Sequence, residues 1–436
     1  MKPHVLDGTP WQFPRPEVFT LANGLTVWQF DLPHQHIATF ELVLPASLTA
    51  EKEQLQGVAN LALHAIDEGT RAHPDGRITE LLDAHGAALH GTTRHRYTTF
   101  GGQASARRLA DVLPLFVEVL TQPSYTDRDV AHHVEAAVAN HASKLASPGA
   151  ANRMALRRAM YGAHRDGAPT SGTPHTLASI TPSHVHEWHS TAYAPRGATL
   201  LIAGVINDEA LGAMTNWTTP GRDLSDRVAA PAQPSRVVVV DQRDAVQATV
   251  GIATRSVGRT DIRWPALRVA GHVMAGAFAS RLNLELRERL GYTYGINGGF
   301  AADVVQGQFH VGGSVRTDVV GDAVARLLDG LSLRDPFTEA EVREAQQYLI
   351  RYAPLANETS ADIVAQASAL AAAGLTTDYL AQHFADLARV TADDATAAFR
   401  ETITPERLTI AVTGDAGEIV PALTALGLEA EVVSLD

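Results

Sequence analysis

The stretch ITPSHVHEWHSTAYAPRGATLLIAG, residues 180–204, has a counterpart in VTADDATAAFRETITPERLTIAVTG, residues 390–414. Each begins with a helix-like run, turns at a proline (Pro195, Pro405) and closes on a short apolar strand ending in glycine (Gly204, Gly414). Nine residues separate proline from glycine in both copies, and the copies stand 210 positions apart. The spacing predicts equivalent strands over Thr199–Ala203 and Leu408–Val412.

A second pair extends the repeat. SYTDRDV (124–130) and PFTEAEV (336–342) lie 212 positions apart, and in both a threonine precedes acidic residues and a long mixed run. This is the pattern of a helix start, with a threonine N-cap and negative charge at the positive end of the helix. LTVWQF, after the Asn23-Gly24 turn, and RVVVVD at Arg236–Asp241 read as the opening strands of the two halves. Strands and helices follow one another without strict alternation, so the expectation is an α+β protein of two tandem homologous domains. TPGRDLSDRVAAPAQPS, Thr219–Ser235, is poor in large apolar residues and reads as the linker between residues 1–218 and residues 236–436.

The chain has 436 residues, 45% hydrophobic and 19% charged, enough to bury two cores. Its 35 basic and 48 acidic residues give a formal charge of −13, which argues against nucleic acid or a membrane surface as partner and favours cationic ligands. Cysteine is absent, which removes disulfides and thiolate metal sites. The N-terminal stretch lacks the apolar run of a secretory signal, and no segment has the length of a membrane span, so the expected compartment is the cytoplasm.

Five stretches in order, TLANGLTVWQF (20–30), QGVANLALHAIDEGT (56–70), LLDAHGAALHGTTRHRYTTF (81–100), YAPRGATLLIAG (193–204) and SRLNLELRERLGYTYG (280–295), resemble the pitrilysin/insulinase zinc peptidases. The likeness is to the short two-domain class typified by the mitochondrial processing peptidase. It implies tandem α/β rolls, each an antiparallel-rich sheet with helices on one face. In that family the helix before Gly-Thr carries H-x-x-E-H. Histidines at i and i+4 share a helix face and reach one zinc, while the glutamate serves the metal-bound water as base. Aligning on Gly69-Thr70 places these functions on Asn60, Leu63 and His64, and the distal ligand position on Asn140. Asparagine amides are poor zinc ligands and leucine accepts no proton, so the resemblance implies a degenerate site and no cofactor in this chain.

The same resemblance gives Arg287 and Tyr294, in the C-terminal half, the roles of gripping a substrate carbonyl and donating to the oxyanion. The edge strand that pairs with bound peptide corresponds to His90, Gly91 and Thr92. Two histidine clusters compete for attention. In HVHEWH, His184 lies about 200° around a helix from His186, so His184, His186 and His189 cannot meet one ion. His132 and His133, being adjacent, point different ways.

The expectation is therefore an inactive, zinc-free subunit of a heterodimeric processing peptidase. It supplies Arg287 and Tyr294 in trans to a homologous zinc-bearing partner that cleaves unfolded or leader peptides. A homodimeric, non-enzymatic peptide-binding scaffold is the alternative.

Overall fold

The computed structural model describes residues 11–206 and 208–435. The first half builds a six-stranded sheet from β1 (Glu17–Thr20), β2 (Thr26–Asp31), β3 (Ile37–Leu44), β4 (Ala88–Thr93), β5 (Thr98–Ser105) and β6 (Thr199–Gly204). The second half builds another from β7 (Val237–Asp241), β8 (Gln247–Ser256), β9 (Asn297–Ala302), β10 (Gly307–Arg316), β11 (Thr409–Gly414) and β12 (Ala430–Val432). The strand orders are β1-β2-β6-β3-β5-β4 and β12-β7-β11-β8-β10-β9. Both sheets are antiparallel but for β2 on β6 in the first, and β7 on β11 and on β12 in the second. Strands β6 and β11 keep the 210-residue offset seen in the sequence, so the duplication is structural.

Five helices place the site: α1 (Val58–His64), α2 (Asp127–Ala146), α3 (Pro148–Tyr161), α4 (Pro182–Ala192) and α5 (Ser360–Ala373). Thr126 caps α2 through the Asp129 amide, and Thr338 does the same for Glu341 in the other copy. The halves exchange helices. On one face of the first sheet, Leu200 and Ile202 join a core with α1 and α4; on the other, Leu201 and Ala203 pack on Ile363, Val364 and Ala367 of α5. Reciprocally, Ala155, Leu156 and Ala159 of α3 cover Val238, Ala253 and Ala411 of the second sheet. This explains why TLLIAG is apolar at every position instead of alternating: both of its faces are covered.

Polar contacts lock the exchange. Asn152 of α3 is buried and donates to the carbonyls of Thr249 (2.9 Å) and Ala411 (2.8 Å), while Ser360 of α5 donates to the Ile37 carbonyl (2.9 Å). Residues 217–236 form no helix or strand beyond an isolated bridge of Leu224 to Ala46. They are strapped to the first half where Asp226 accepts from Arg96 (2.8 Å) and Thr49 (2.7 Å). Among the described residues no helix is long and apolar enough to cross a membrane.

Candidate functional site

Helix α1 starts where Gly57 turns the chain at φ +103°, a conformation open to glycine, and a Cβ there would strike the Ser171 carbonyl. Val58, Ala59, Leu61, Ala62 and Leu63 are buried, so the helix is held by its packing. Its first turn is satisfied by Glu51, whose Oε1 accepts from the amides of Gly57 (3.1 Å) and Ala59 (3.0 Å). The other oxygen, Oε2, accepts from Nε of buried Arg165 at 2.8 Å.

Along this helix the expected ligand positions part company. Asn60 is half-buried and His64 is exposed at the last turn. Leu63 is 3% exposed and leans on edge strand β4: a Cβ added to Gly91 would sit 2.7 Å from Leu63 Cδ1. The space that a base and a bound water require is thus filled by a leucine. Desolvation by the surrounding protein, then the charge of His133, hold the His64 pKa below its ordinary value and favour neutral imidazole. His133 is itself engaged by Glu68, Nε2 to Oε1 at 2.8 Å, and burial raises the pKa of neighbouring Asp67.

Asn140 is exposed on α2, and the next residue, His141, is 3% exposed. His133, Ala137 and His141 recur every four residues on one side of the helix. That spacing is the signal in the sequence that singles out 141 rather than 140 as the inward position. Among the described residues no group of three or more His, Cys, Asp or Glu is placed to hold a metal ion. With Leu63 packed against Gly91 and only one histidine in the motif, the residues of α1 do not fit a zinc ion, and no chemical step of this chain is routed through one.

In HVHEWH, His184 is turned away, while His186 and His189, three residues apart, share a helix face and both meet the Tyr125 ring edge-on. His184 lies at the start of α4 beside Thr181, His186 stands exposed and edge-on to Tyr125, and His189 is buried against Tyr193. Burial, then His186, lower the His189 pKa to about 4.

Edge strand β4 carries His90, Gly91 and Thr92, paired on one side with Gly101, Phe100 and Thr99 of β5 and open on the other. His90 and Thr92 are exposed, while Gly91 faces Leu63. The open edge offers unpaired backbone groups to an extended peptide.

Arg287 belongs to a wide-turned helical segment, Leu284–Arg289. Its side chain is 16% exposed, donates from Nε (2.8 Å) and Nη2 (2.6 Å) to Oε1 of Glu288, and lies 3.7 Å above the ring centre of Phe278. Phe278 is itself 79% exposed and stands out of any periodic pattern, so no signal in the sequence marks it. Gly291, at φ +64°, ends the helix. Residues 291–296 form a loop, because Asn283 ties down Ile296 through both its amide and its carbonyl, and β9 begins only at Asn297. Tyr294 therefore stands on a loop, 96% exposed, and not in a strand facing the core. The partners of Arg287, Glu288 and Phe278, both belong to the second half of the chain.

Residues 27–173 match the family described as Insulinase (Peptidase family M16), and residues 179–349 the one described as Peptidase M16 inactive domain. An uncharacterized zinc protease of Mycobacterium leprae is 24% identical over 337 residues, 75% of this chain and 76% of its own. One from Mycobacterium tuberculosis is 26% identical over 340 residues, again 75% and 76%. Among solved structures, a peptidase M16 inactive domain from Pseudomonas fluorescens superposes with a TM-score of 0.85 at 21% identity, covering 92% of this chain and 98% of that one. A protease from Helicobacter pylori gives 0.81 at 16% identity, covering 92% and 100%.

Proposed function

The chain belongs to the insulinase (M16) family of peptidases, and we propose that within it this chain is the zinc-free subunit of a two-chain processing peptidase. One observation carries the reading: α1 has its base position closed by Leu63, while Tyr294 stands out of its own chain's packing at 96% exposure, seven residues from an Arg287 held by Glu288 and Phe278. A homologous partner with intact H-x-x-E-H brings the metal; the mycobacterial relatives are themselves described as zinc proteases.

Within the complex, this chain's part is to bind and polarise. The guanidinium of Arg287, a rigid fork of donors pinned by Glu288 and Phe278, grips a carbonyl of an unfolded or leader peptide. The Tyr294 hydroxyl donates a hydrogen bond to the oxygen on which negative charge develops.

Co-expression with a homologue bearing H-x-x-E-H tests this. The complex should cleave unfolded peptides, and Arg287→Ala should lower turnover by roughly 10²–10³ while leaving assembly and zinc content unchanged. Full activity in the variant removes Arg287 from the chemistry. A chain that ignores such a homologue and self-associates around peptide without cleaving it supports the scaffold alternative instead.

A further inference from the structure

The acidic balance of the whole chain hides a local reversal. A cavity of about 1050 Å³ opens between the C-terminal end of α2, the outer face of α3, the loop after α3 and residues 53–56 ahead of α1. Lys144, Arg153, Arg157 and Arg158 line it with His141 and His164, and Glu53 is the one carboxylate among its described lining residues. Helix α3 is amphipathic in an unusual sense. Asn152, Ala155, Leu156 and Ala159 bind the second sheet, which turns Arg153 and Arg157, four residues apart, into the cavity.

These cations are not neutralised from within. Lys144, Arg153 and Arg158 are exposed and have no carboxylate partner among the described residues. Arg157 donates to the Asp166 backbone carbonyl and meets His95 Nδ1 at 3.1 Å, but the Asp166 carboxylate itself is taken by Arg96 at 2.6 Å. His95, whose pKa burial and then Arg157 push down to about 3, adds no competing charge.

Arg157 also lines a second cavity of about 450 Å³, which holds Arg94 and Arg259 and reaches Thr92 and Thr93 at the end of β4. Asp166, held by Arg96, and Asp303 also line this second cavity, and Arg157 is the residue it shares with the large one, where the positive charge is concentrated. We infer that the large cavity recognises the carboxylates of an acidic segment of a peptide whose neighbouring residues pair with β4. The inference deepens the processing reading by naming a substrate class, and rests on that reading for the peptide on β4. It also reverses the preference for cationic ligands that net charge alone suggests. A long polyanion such as nucleic acid is disfavoured by the −13 charge around the cavities, whereas a short acidic block engages only the local field.

The test uses the purified full chain and three labelled, C-terminally amidated unstructured peptides. One carries an Asp/Glu block, one has Asn/Gln in its place, and one has Lys. Fluorescence anisotropy should give a Kd for the acidic peptide roughly tenfold below that of the Asn/Gln peptide, with the advantage shrinking as salt rises. Lys144→Glu/Arg153→Glu should erase the advantage, and Arg158→Glu alone should reduce it, with thermal stability unchanged because all three side chains are exposed. Arg153→Lys should keep most of it. A free C-terminus that restores binding to the Asn/Gln peptide would place a terminal carboxylate, rather than side chains, in the cavity and still support the inference. Binding indifferent to charge, tighter binding of the Lys peptide or of an oligonucleotide, no binding at all, or a double variant that binds as well as the parent overturns it. No partner subunit is needed, so a chain that prefers acidic peptide yet never activates a zinc-bearing homologue refutes the processing reading alone. An active complex whose chain ignores charge refutes this inference alone.

Discussion

Replacing Glu51 by Gln should cost about 3–5 kcal/mol of stability, because it unpairs a charge that the fold has sealed from water. The Glu51 side chain is 0% exposed and that of Arg165 is 6%. Burial raises the Glu51 pKa, while the positive charge of Arg165 and the Ala59 and Gly57 amides pull it back toward the ionised form. Glutamine has one carbonyl oxygen where the carboxylate has two acceptors, so it can serve the α1 amides or Arg165 Nε, not both. Arg165 keeps its donors on the carbonyls of Ala168 (3.2 Å), Pro169 (3.0 Å) and Thr170 (3.3 Å), but its charge has no counterion. Domain stabilities are typically about 5–15 kcal/mol, so the loss is a large fraction of the whole. With a urea slope of about 3 kcal/mol/M, the midpoint should fall by roughly 1–1.7 M. The assay is urea unfolding followed by tryptophan fluorescence and far-UV circular dichroism together, coincident curves licensing a single free energy. Glu51→Gln/Arg165→Met removes both charges and should recover more than half of the loss. A single variant costing under about 1 kcal/mol, or a double variant no more stable than the single, refutes the reasoning.

Two further outcomes follow from the packing. Asn152→Ala deletes the two bonds from α3 to the second sheet and should cost about 2 kcal/mol, splitting a shared calorimetric transition into two; a single unshifted transition contradicts the interlock. His189, with a folded pKa of about 4 against an unfolded value of 6.5, binds fewer protons in the native state throughout that window. Stability should therefore fall as pH drops from 6.5 to 4, by up to about 3 kcal/mol from this residue, and His189→Phe should flatten the slope, leaving what His95 and His383 contribute. A variant whose pH profile parallels the parent's rules the assignment out.

The sequence showed the duplication because equivalent strands and caps keep their spacing: Gly204 with Gly414, and Thr126 with Thr338. It showed the substitutions on α1 because a helix fixes which residues share a face. The helix exchange was out of reach, since an apolar run such as TLLIAG reports that both faces are covered but not by which half of the chain. The loop at Tyr294 was not legible because its cause is Asn283, eleven residues earlier, whose side chain occupies the backbone groups of Ile296 and postpones the strand. The basic cavity was invisible for a similar reason: Lys144, Arg153, Arg157 and Arg158 are diluted by the acidic residues around them, and only the packing of α3 on the second sheet gathers them in one hollow.

That packing also bears on why α1 survives without its polar residues. Leu63 at 3% exposure contributes on the order of 2 kcal/mol of apolar burial, whereas a carboxylate against Gly91 and Leu61 needs a metal or a bound water to be tolerated there. Under the proposed reading, in which another chain supplies the metal, the helix is free to be optimised for the core. Tyr294 stands in the opposite position. At 96% exposure it adds almost nothing to the fold, and its aromatic surface gains a stabilising contact only from something outside this chain. The leucine and the exposed phenol are thus what the proposed two-chain reading expects: the base position of α1 is apolar and closed, and Tyr294 offers its hydroxyl outside its own chain.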